Sequence, residues 1–240
     1  MKRTIERELL DELPADDRRA VAARRDLQKV NLMMGHPRVL ARVVGGAFDQ
    51  RSPRTIIELG AGDGTLLLRL AKTMATRWGP VRAILVDRQR LLSARTQRAF
   101  EALAWSVESV QMDVFEWLQR PVPESSDVII ASLFLHHFPK DDLRRLLHYV
   151  AGQADLFLAC EPRRAYIALR AAGLLWLIGC NEVTTHDARI SVRAGFAGRE
   201  ISALWPVDDS WRLVERRWGG FSHCFSARRM TRTRRDDGNL

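Results

Sequence analysis

The sequence predicts an α/β domain built on one mostly parallel sheet of seven strands that closes in an antiparallel hairpin, and three observations predict it. Between Arg54 and Cys160, β-branched runs alternate with helical stretches, the order that builds a parallel sheet. The first run, Ile56-Ile57-Glu58-Leu59, leads directly into Gly60-Ala61-Gly62-Asp63-Gly64, a turn whose backbone a ligand can approach with no Cβ in the way. The last two runs, Arg212 to Trp218 and Phe221 to Arg228, are joined by Gly219-Gly220, a hairpin signal.

Before Pro53 the chain reads as helical. Pro14-Ala15-Asp16-Asp17 starts a helix with proline and acids in its first turn, Val21, Leu27, Val30 and Met34 form an apolar stripe, and Gly35 ends it. A shorter helix runs from about Pro37 to Ala47, and the first strand starts at Arg54. After the glycine turn, Thr65-Leu66-Leu67-Leu68-Arg69-Leu70-Ala71-Lys72 supplies a helix whose unpaired first-turn N–H groups favour negative charge. The strand Val81 to Asp87 follows, then a helix over 88–103, a strand over 106–111, a short helix near 115–119, a strand over 127–132, a helix over 140–150 and a strand over 154–160. Glu161-Pro162-Arg163-Arg164 interrupts the alternation, Ala165 to Ile178 reads as an apolar helix, and Asn181 to Trp205 reads as an irregular or helical insertion.

With 240 residues and 46% hydrophobic content, the chain can bury one sizeable core, which argues for one domain with additions rather than two. The divisions expected are a helical segment 1–52, a main domain 53–230 carrying an insertion at 161–205, and a basic, polar tail 231–240. Cys160, Cys180 and Cys224 are widely separated, so neither a disulfide framework nor a metal site is expected, and the thiols suit a reducing cytoplasm. The charged stretch Lys2 to Asp17 argues against a secretory signal. The longest apolar run, Ala171 to Cys180, is ten residues with two glycines, too short to span a bilayer. A net charge of +9 raises the question of nucleic acid, but from Leu213 onward seven arginines face three acids. Arg228 to Arg235 carries no interleaved aromatic for base stacking. That distribution favours a solvated tail and disfavours a nucleic-acid partner.

The chemistry begins with the glycine spacing. A dinucleotide fingerprint G-x-G-x-x-G would need glycine at position 65, where Thr65 stands. Asp87 ends the second strand 23 residues after Gly64, which suits a ribose-binding carboxylate. Asp113 closes the third. Either acid could instead cap the helix that follows it. Together, however, acids at the carboxyl ends of three successive strands match the way an open α/β sheet holds ligands. On these residues the chain resembles the class I S-adenosylmethionine-dependent methyltransferases. The resemblance implies a Rossmann-like fold with S-adenosylmethionine as cofactor, and residues 1–52 as a helical lid. It further implies that Gly60, Gly62 and Gly64 line the methionine part and that Asp87 accepts from both ribose hydroxyls. Asp113 would face the adenine amino group, Glu58 would reach toward the amino-acid end, and Ser132 with Leu133 would lie beside the transferred methyl.

Methyl transfer needs an acceptor aligned with the methyl–sulfonium bond and, for a hydroxyl, a base. His136 and His137 follow the fourth strand on the ligand side of the sheet, where such a base is expected, although one of the pair could be structural. His186 is the second candidate. Its alternative is a helix start, with Asp187 as the cap of 188–193. The stretch Thr184 to Phe196 mixes polar and apolar residues finely enough to form a pocket, and with Glu161-Pro162-Arg163-Arg164 it resembles bacterial methyltransferases associated with polyketide and quinone-like metabolites. Arg163 or Arg193 could hold a carboxylate or phenolate, or make ordinary surface ion pairs. Trp176, Trp205 and Phe196 could wall an aromatic acceptor or pack in the core. The expected function is methylation, with oxygen favoured, of a small hydroxylated, aromatic or polyketide-derived metabolite of secondary metabolism. C-methylation of a quinone precursor is the nearest rival, followed by RNA methylation and by a non-catalytic, cofactor-binding accessory protein. Ser132-Leu133-Phe134-Leu135 stands where N-P-P-Y or D-P-P-Y would mark amino-group methylation, which argues against DNA or glutamine as acceptor.

Overall fold

The computed structural model describes residues 1–120 and 126–230, so the tail at 231–240 lies outside the described residues. Its helices are α1 (Leu9–Glu12), α2 (Arg18–Met33), α3 (His36–Ala47), α4 (Thr65–Met74), α5 (Ala94–Glu101), α6 (Val114–Leu118), α7 (Lys140–Gln153), α8 (Tyr166–Ala172) and α9 (Glu182–Ala194). Its strands are β1 (Thr55–Leu59), β2 (Arg82–Asp87), β3 (Ser106–Gln111), β4 (Ser126–Ser132), β5 (Ala154–Pro162), β6 (Trp211–Trp218) and β7 (Ser222–Arg229). The sheet order is β3-β2-β1-β4-β5-β7-β6. The first five strands pair in parallel, while β7 runs antiparallel to both β5 and β6.

β1 sits between β2 and β4, with Ile57 beside Ile84 on one side and Ile129 on the other. The strand order reverses there, and a crevice for a ligand opens beyond the carboxyl ends of these strands. Ile56 and Ile57, both fully buried, point to opposite faces. The Ile56 face packs with Leu40, Leu67, Leu70, Phe100 and Trp105, whereas the Ile57 face packs with Leu143, Leu146, Phe157, Trp205 and Phe225. Covering on both sides explains why the central strands read as continuous apolar runs rather than alternating ones.

Several boundaries differ from expectation, each for a local reason. The helix expected from Pro14 begins at Arg18, because Asp17 accepts from the Arg19 N–H at 2.8 Å and caps it. The helix expected over 88–103 is confined to α5, since Ser93 caps it by accepting from Thr96 N at 3.1 Å. The apolar helix expected over 165–178 is divided into α8 and a 3-10 turn, Leu175–Ile178. Asn181 caps α9 by accepting from Thr184 N at 2.8 Å. Asp187 is therefore mid-helix and does not cap residues 188–193. Among the described residues no helix is long and apolar enough to cross a membrane.

Candidate active site

The glycine turn joins β1 to α4 with φ of 66° at Gly60, 55° at Gly62 and 72° at Gly64, the left-handed region that glycine enters without strain. The three are not equivalent. A Cβ on Gly60 would stand 2.2 Å from the Phe134 ring and one on Gly64 2.6 Å from Leu85, whereas one on Gly62 would meet nothing within 4 Å. Packing requires the outer two, and the space over the middle one is open to a ligand.

Asp87 lies beneath that space. Its Oδ2 accepts from Gly62 N at 2.9 Å and its Oδ1 from Gln89 N at 2.8 Å, so the carboxylate braces the loop while each oxygen retains a lone pair. Asp113 caps α6 through Phe115 N at 2.8 Å. Glu58 is buried with its Oε2 unpartnered. Burial pushes its carboxyl up to about 8, and the nearby acids Asp63 and Asp87 add to the shift. The open space over Gly62, the ready acceptors of Asp87 and the orphaned Glu58 oxygen fit a cationic, ribose-bearing molecule such as S-adenosylmethionine. Helix α2 reaches the same loop, where Gln28 donates to Asp63 Oδ2 at 2.5 Å.

A second cluster lies past the end of β4. Leu133 adopts a φ of 51° there, uncommon for leucine, and the chain then turns through a 3-10 segment, Leu135–His137. His136 is buried, with Nδ1 2.7 Å from Glu161 Oε2 and Nε2 3.3 Å from Glu8 Oε1. Glu161 also accepts from Phe134 N and Leu135 N at 3.1 and 2.9 Å. Burial alone would lower the His136 pKa, but the hydrogen bonds and charges of Glu161 and Glu8 push it up to about 9. Burial works against ionising both carboxyls, yet the hydrogen bonds from His136 to Glu161 and from His136 and His137 to Glu8 hold them below the usual carboxylate range. Near neutral pH the group is an imidazolium between two carboxylates. On His137, Nδ1 donates to the Phe134 carbonyl at 2.9 Å, which leaves Nε2 facing Glu8 Oε2 at 3.4 Å.

Glu8 is held in place by contacts distant in sequence. Arg3 donates to the carbonyls of Ala194, His136 and Phe138 at 2.7, 3.1 and 3.1 Å. Leu9 N and Leu10 N each donate to the Asp187 carboxylate at 2.9 Å, and the Ser191 hydroxyl donates to Glu8. The charged opening of the chain is thus a strap across α9. Nothing in the local sequence marks Glu8, and Glu161 draws attention there only as a break in pattern. Glu8, His136 and His137 offer donor atoms within 4.8 Å of one another, compact enough for a metal ion. Their mutual carboxylate–imidazole contacts account for the grouping without one.

Beside this cluster lies a cavity of about 350 Å³. Glu8, Asp187 and Ser191, joined through the Ser191 hydroxyl, line it together with Leu133 at the end of β4, Met34 and Leu175. His186, Arg163 and Arg193 do not line it. His186 is half-exposed and faces Asp187 at 3.0 Å. Arg163 points toward the Gly220 carbonyl at 3.5 Å, and Arg193 is exposed on α9. Trp205 and Phe196 are buried in the core, the packing alternative for these residues, while Trp176 is 61% exposed, and none of the three lines the cavity. The Ser132 hydroxyl is bonded to His36 Nδ1 at 2.9 Å. Burial pushes that imidazole down to about 4, so it is neutral.

Residues 56–152 match the family model of a methyltransferase domain, and no curated protein sequence matches the chain. Among solved structures, an O-methyltransferase family protein from Burkholderia thailandensis is similar with a TM-score of 0.61 at 19% identity, over 90% of this chain and 61% of that one. The chain thus spans about three fifths of the length of that relative. The plantazolicin methyltransferase, solved with S-adenosylhomocysteine, gives a TM-score of 0.61 at 12% identity over 92% and 97% of the two chains. Mitomycin 7-O-methyltransferase gives 0.59 at 19% over 92% and 60%. These structures share the fold of the chain, and residues 56–152, which include the glycine turn and Asp87, match a methyltransferase domain.

Proposed function

We propose that this protein methylates the hydroxyl oxygen of a small acceptor, aromatic or polyketide-derived, held in the cavity beside Glu8. The observation that carries the reading is the contact between two sites: the Phe134 ring packs against Gly60 of the glycine turn, and Phe134 also starts the turn that carries His136 and His137. Glu8 lines the cavity and contacts both histidines, which do not line it themselves, so an acceptor hydroxyl beside Glu8 would reach them through that carboxylate. When bound, S-adenosylmethionine supplies an electrophilic methyl group. The protein's own residues align the acceptor and take its proton. His137 is the preferred base: the Phe134 carbonyl holds its Nδ1 proton, and its Nε2 faces Glu8, the carboxylate that lines the cavity and through which the acceptor proton reaches it. Glu8 orients that imidazole and balances the charge it gains, while Glu161 anchors His136 and the turn.

Residues 1–52 act as the lid. Gln28 reaches the glycine turn and Glu8 reaches the histidines, so closing one segment excludes water from both. The apolar lining of the cavity supports a small molecule over nucleic acid. Three buried free thiols, including Cys160 and Cys224 at 3.8 Å, support a cytoplasmic setting.

The test is turnover of labelled S-adenosylmethionine with a panel of hydroxylated aromatics. His137→Ala is expected to lower turnover by about 10²–10⁴-fold while leaving S-adenosylhomocysteine affinity, read by calorimetry, unchanged. Equal turnover in His136→Ala, His137→Ala and His186→Ala would remove histidine from the chemistry. Cofactor binding with no turnover across the panel would favour an accessory protein instead.

A further inference from the structure

We infer that the acceptor is amphiphilic, a hydroxylated head joined to a long, unsubstituted hydrocarbon chain, and that the cavity between α2, α8 and α9 is the seat of that chain. The inference rests on the reading above that this cavity is the acceptor site.

The polar groups at the cavity are nearly all committed elsewhere. The Asp187 carboxylate accepts from Leu9 N and Leu10 N, the Thr184 hydroxyl donates to Asp26, and the Ser191 hydroxyl is held by Glu8 and the Asp187 carbonyl. Of the polar residues lining the cavity, Glu8 with its two histidines is the one placed to address a substrate hydroxyl. Away from that pole the wall is hydrocarbon: Leu27 and Val30 from α2, Ala171 and Ala172 from α8, and Leu175 and Ile178 beyond it. Among the described residues Phe221 is the one aromatic in the lining. A polyhydroxylated or charged acceptor would leave its polar groups unpaired against this wall, at a cost no interaction there offsets. A flat, compact phenol would fill the pole and leave the aliphatic length empty.

The chain has a way out. The lining continues into side chains that face solvent, with Met33 59%, Leu174 52%, Leu177 60% and Ile178 45% exposed. These lie at the end of α2 and around the 3-10 turn Leu175–Ile178. A hydrocarbon longer than the cavity would cover this rim, removing apolar surface from water on both sides of the contact.

The experiment is calorimetric binding of 4-n-alkylphenols, from phenol to 4-dodecylphenol below their aggregation concentrations, to the protein with and without S-adenosylhomocysteine. The Kd is expected to fall by about fourfold per methylene until the cavity is filled. Ala171→Phe, which fills part of the wall, should abolish the gain from longer chains, so that the Kd no longer falls with chain length. Leu177→Glu, at an exposed position, should blunt only the longest members. A Kd independent of chain length, or a gain that survives both substitutions, would overturn the proposal. Chain-length-dependent binding without methylation of any member would leave the hydrocarbon site standing and remove the methyl-transfer reading.

Discussion

The two sides of the crevice are assembled in opposite ways. The cofactor side is local: β1, the glycine turn, α4 and β2 are consecutive, and Asp87 braces Gly62 from 25 positions away. The proposed acceptor side is gathered from across the chain. His136 meets Glu161 25 residues on and Glu8 128 residues back, and the strap carrying Glu8 is tied to Asp187 across 178 positions. A site made from neighbouring residues can be rebuilt for new acceptors only at its edges, whereas one made from distant segments can change while the cofactor loop stays as it is.

If the two sides are separable, substitutions should divide their effects between them. The largest effect is expected from Glu8→Gln, which removes the charge facing both histidines. Turnover of a 4-n-alkylphenol should drop by roughly 10²–10⁴-fold, the scale for losing a positioned acid–base group, with S-adenosylhomocysteine affinity within about twofold. Parallel loss of cofactor affinity would mean the strap serves both sides. Asp87→Ala should do the reverse, weakening cofactor binding by about 1–3 kcal/mol while alkylphenol binding to the cofactor-free protein is unchanged.

A pH measurement isolates Glu58. Its folded pKa is raised from 4.5 to about 8, so the folded chain keeps a proton that the unfolded chain releases. Its contribution to stability is full below about 4.5 and is lost as pH rises through about 8. The stability difference between the native protein and Glu58→Gln, read by denaturant unfolding, should therefore move in favour of the variant across that window. His36, whose depressed pKa gives the opposite slope below 6.5, is common to both and cancels. A constant difference would show that Glu58 is ionised. The smallest effect is expected from Gln28→Ala, which removes one hydrogen bond from α2 to the glycine turn. Cofactor affinity should fall by about 0.5–1.5 kcal/mol, and an unchanged value would detach α2 from the cofactor side.

Legibility in the sequence follows the same division. The parallel strands and the hairpin could be read because apolar runs, strand-end acids and Gly219-Gly220 are patterns within a few residues. The paired histidines could be read because they follow a strand directly. Glu8 could not, since a glutamate in a charged stretch looks like solvated surface until α9 is folded beneath it. His186 and Arg193 suggested a pocket, but the Asn181 cap starts α9 early and turns Asp187 and Ser191 toward the cavity instead. Of the two alternatives for the aromatics, core packing holds for Trp205 and Phe196, with Trp205 stacked on Phe157 at 5.7 Å, which leaves the cavity to smaller aliphatic side chains.

The central claim is that cofactor and acceptor are held by separate sets of residues that meet at Phe134. Calorimetric titration of S-adenosylhomocysteine into the native protein, Asp87→Ala and Glu8→Gln tests it most directly. The account predicts a roughly 5–150-fold weaker Kd for Asp87→Ala and a native Kd for Glu8→Gln. Native affinity in Asp87→Ala, or an equal loss in both variants, would contradict it.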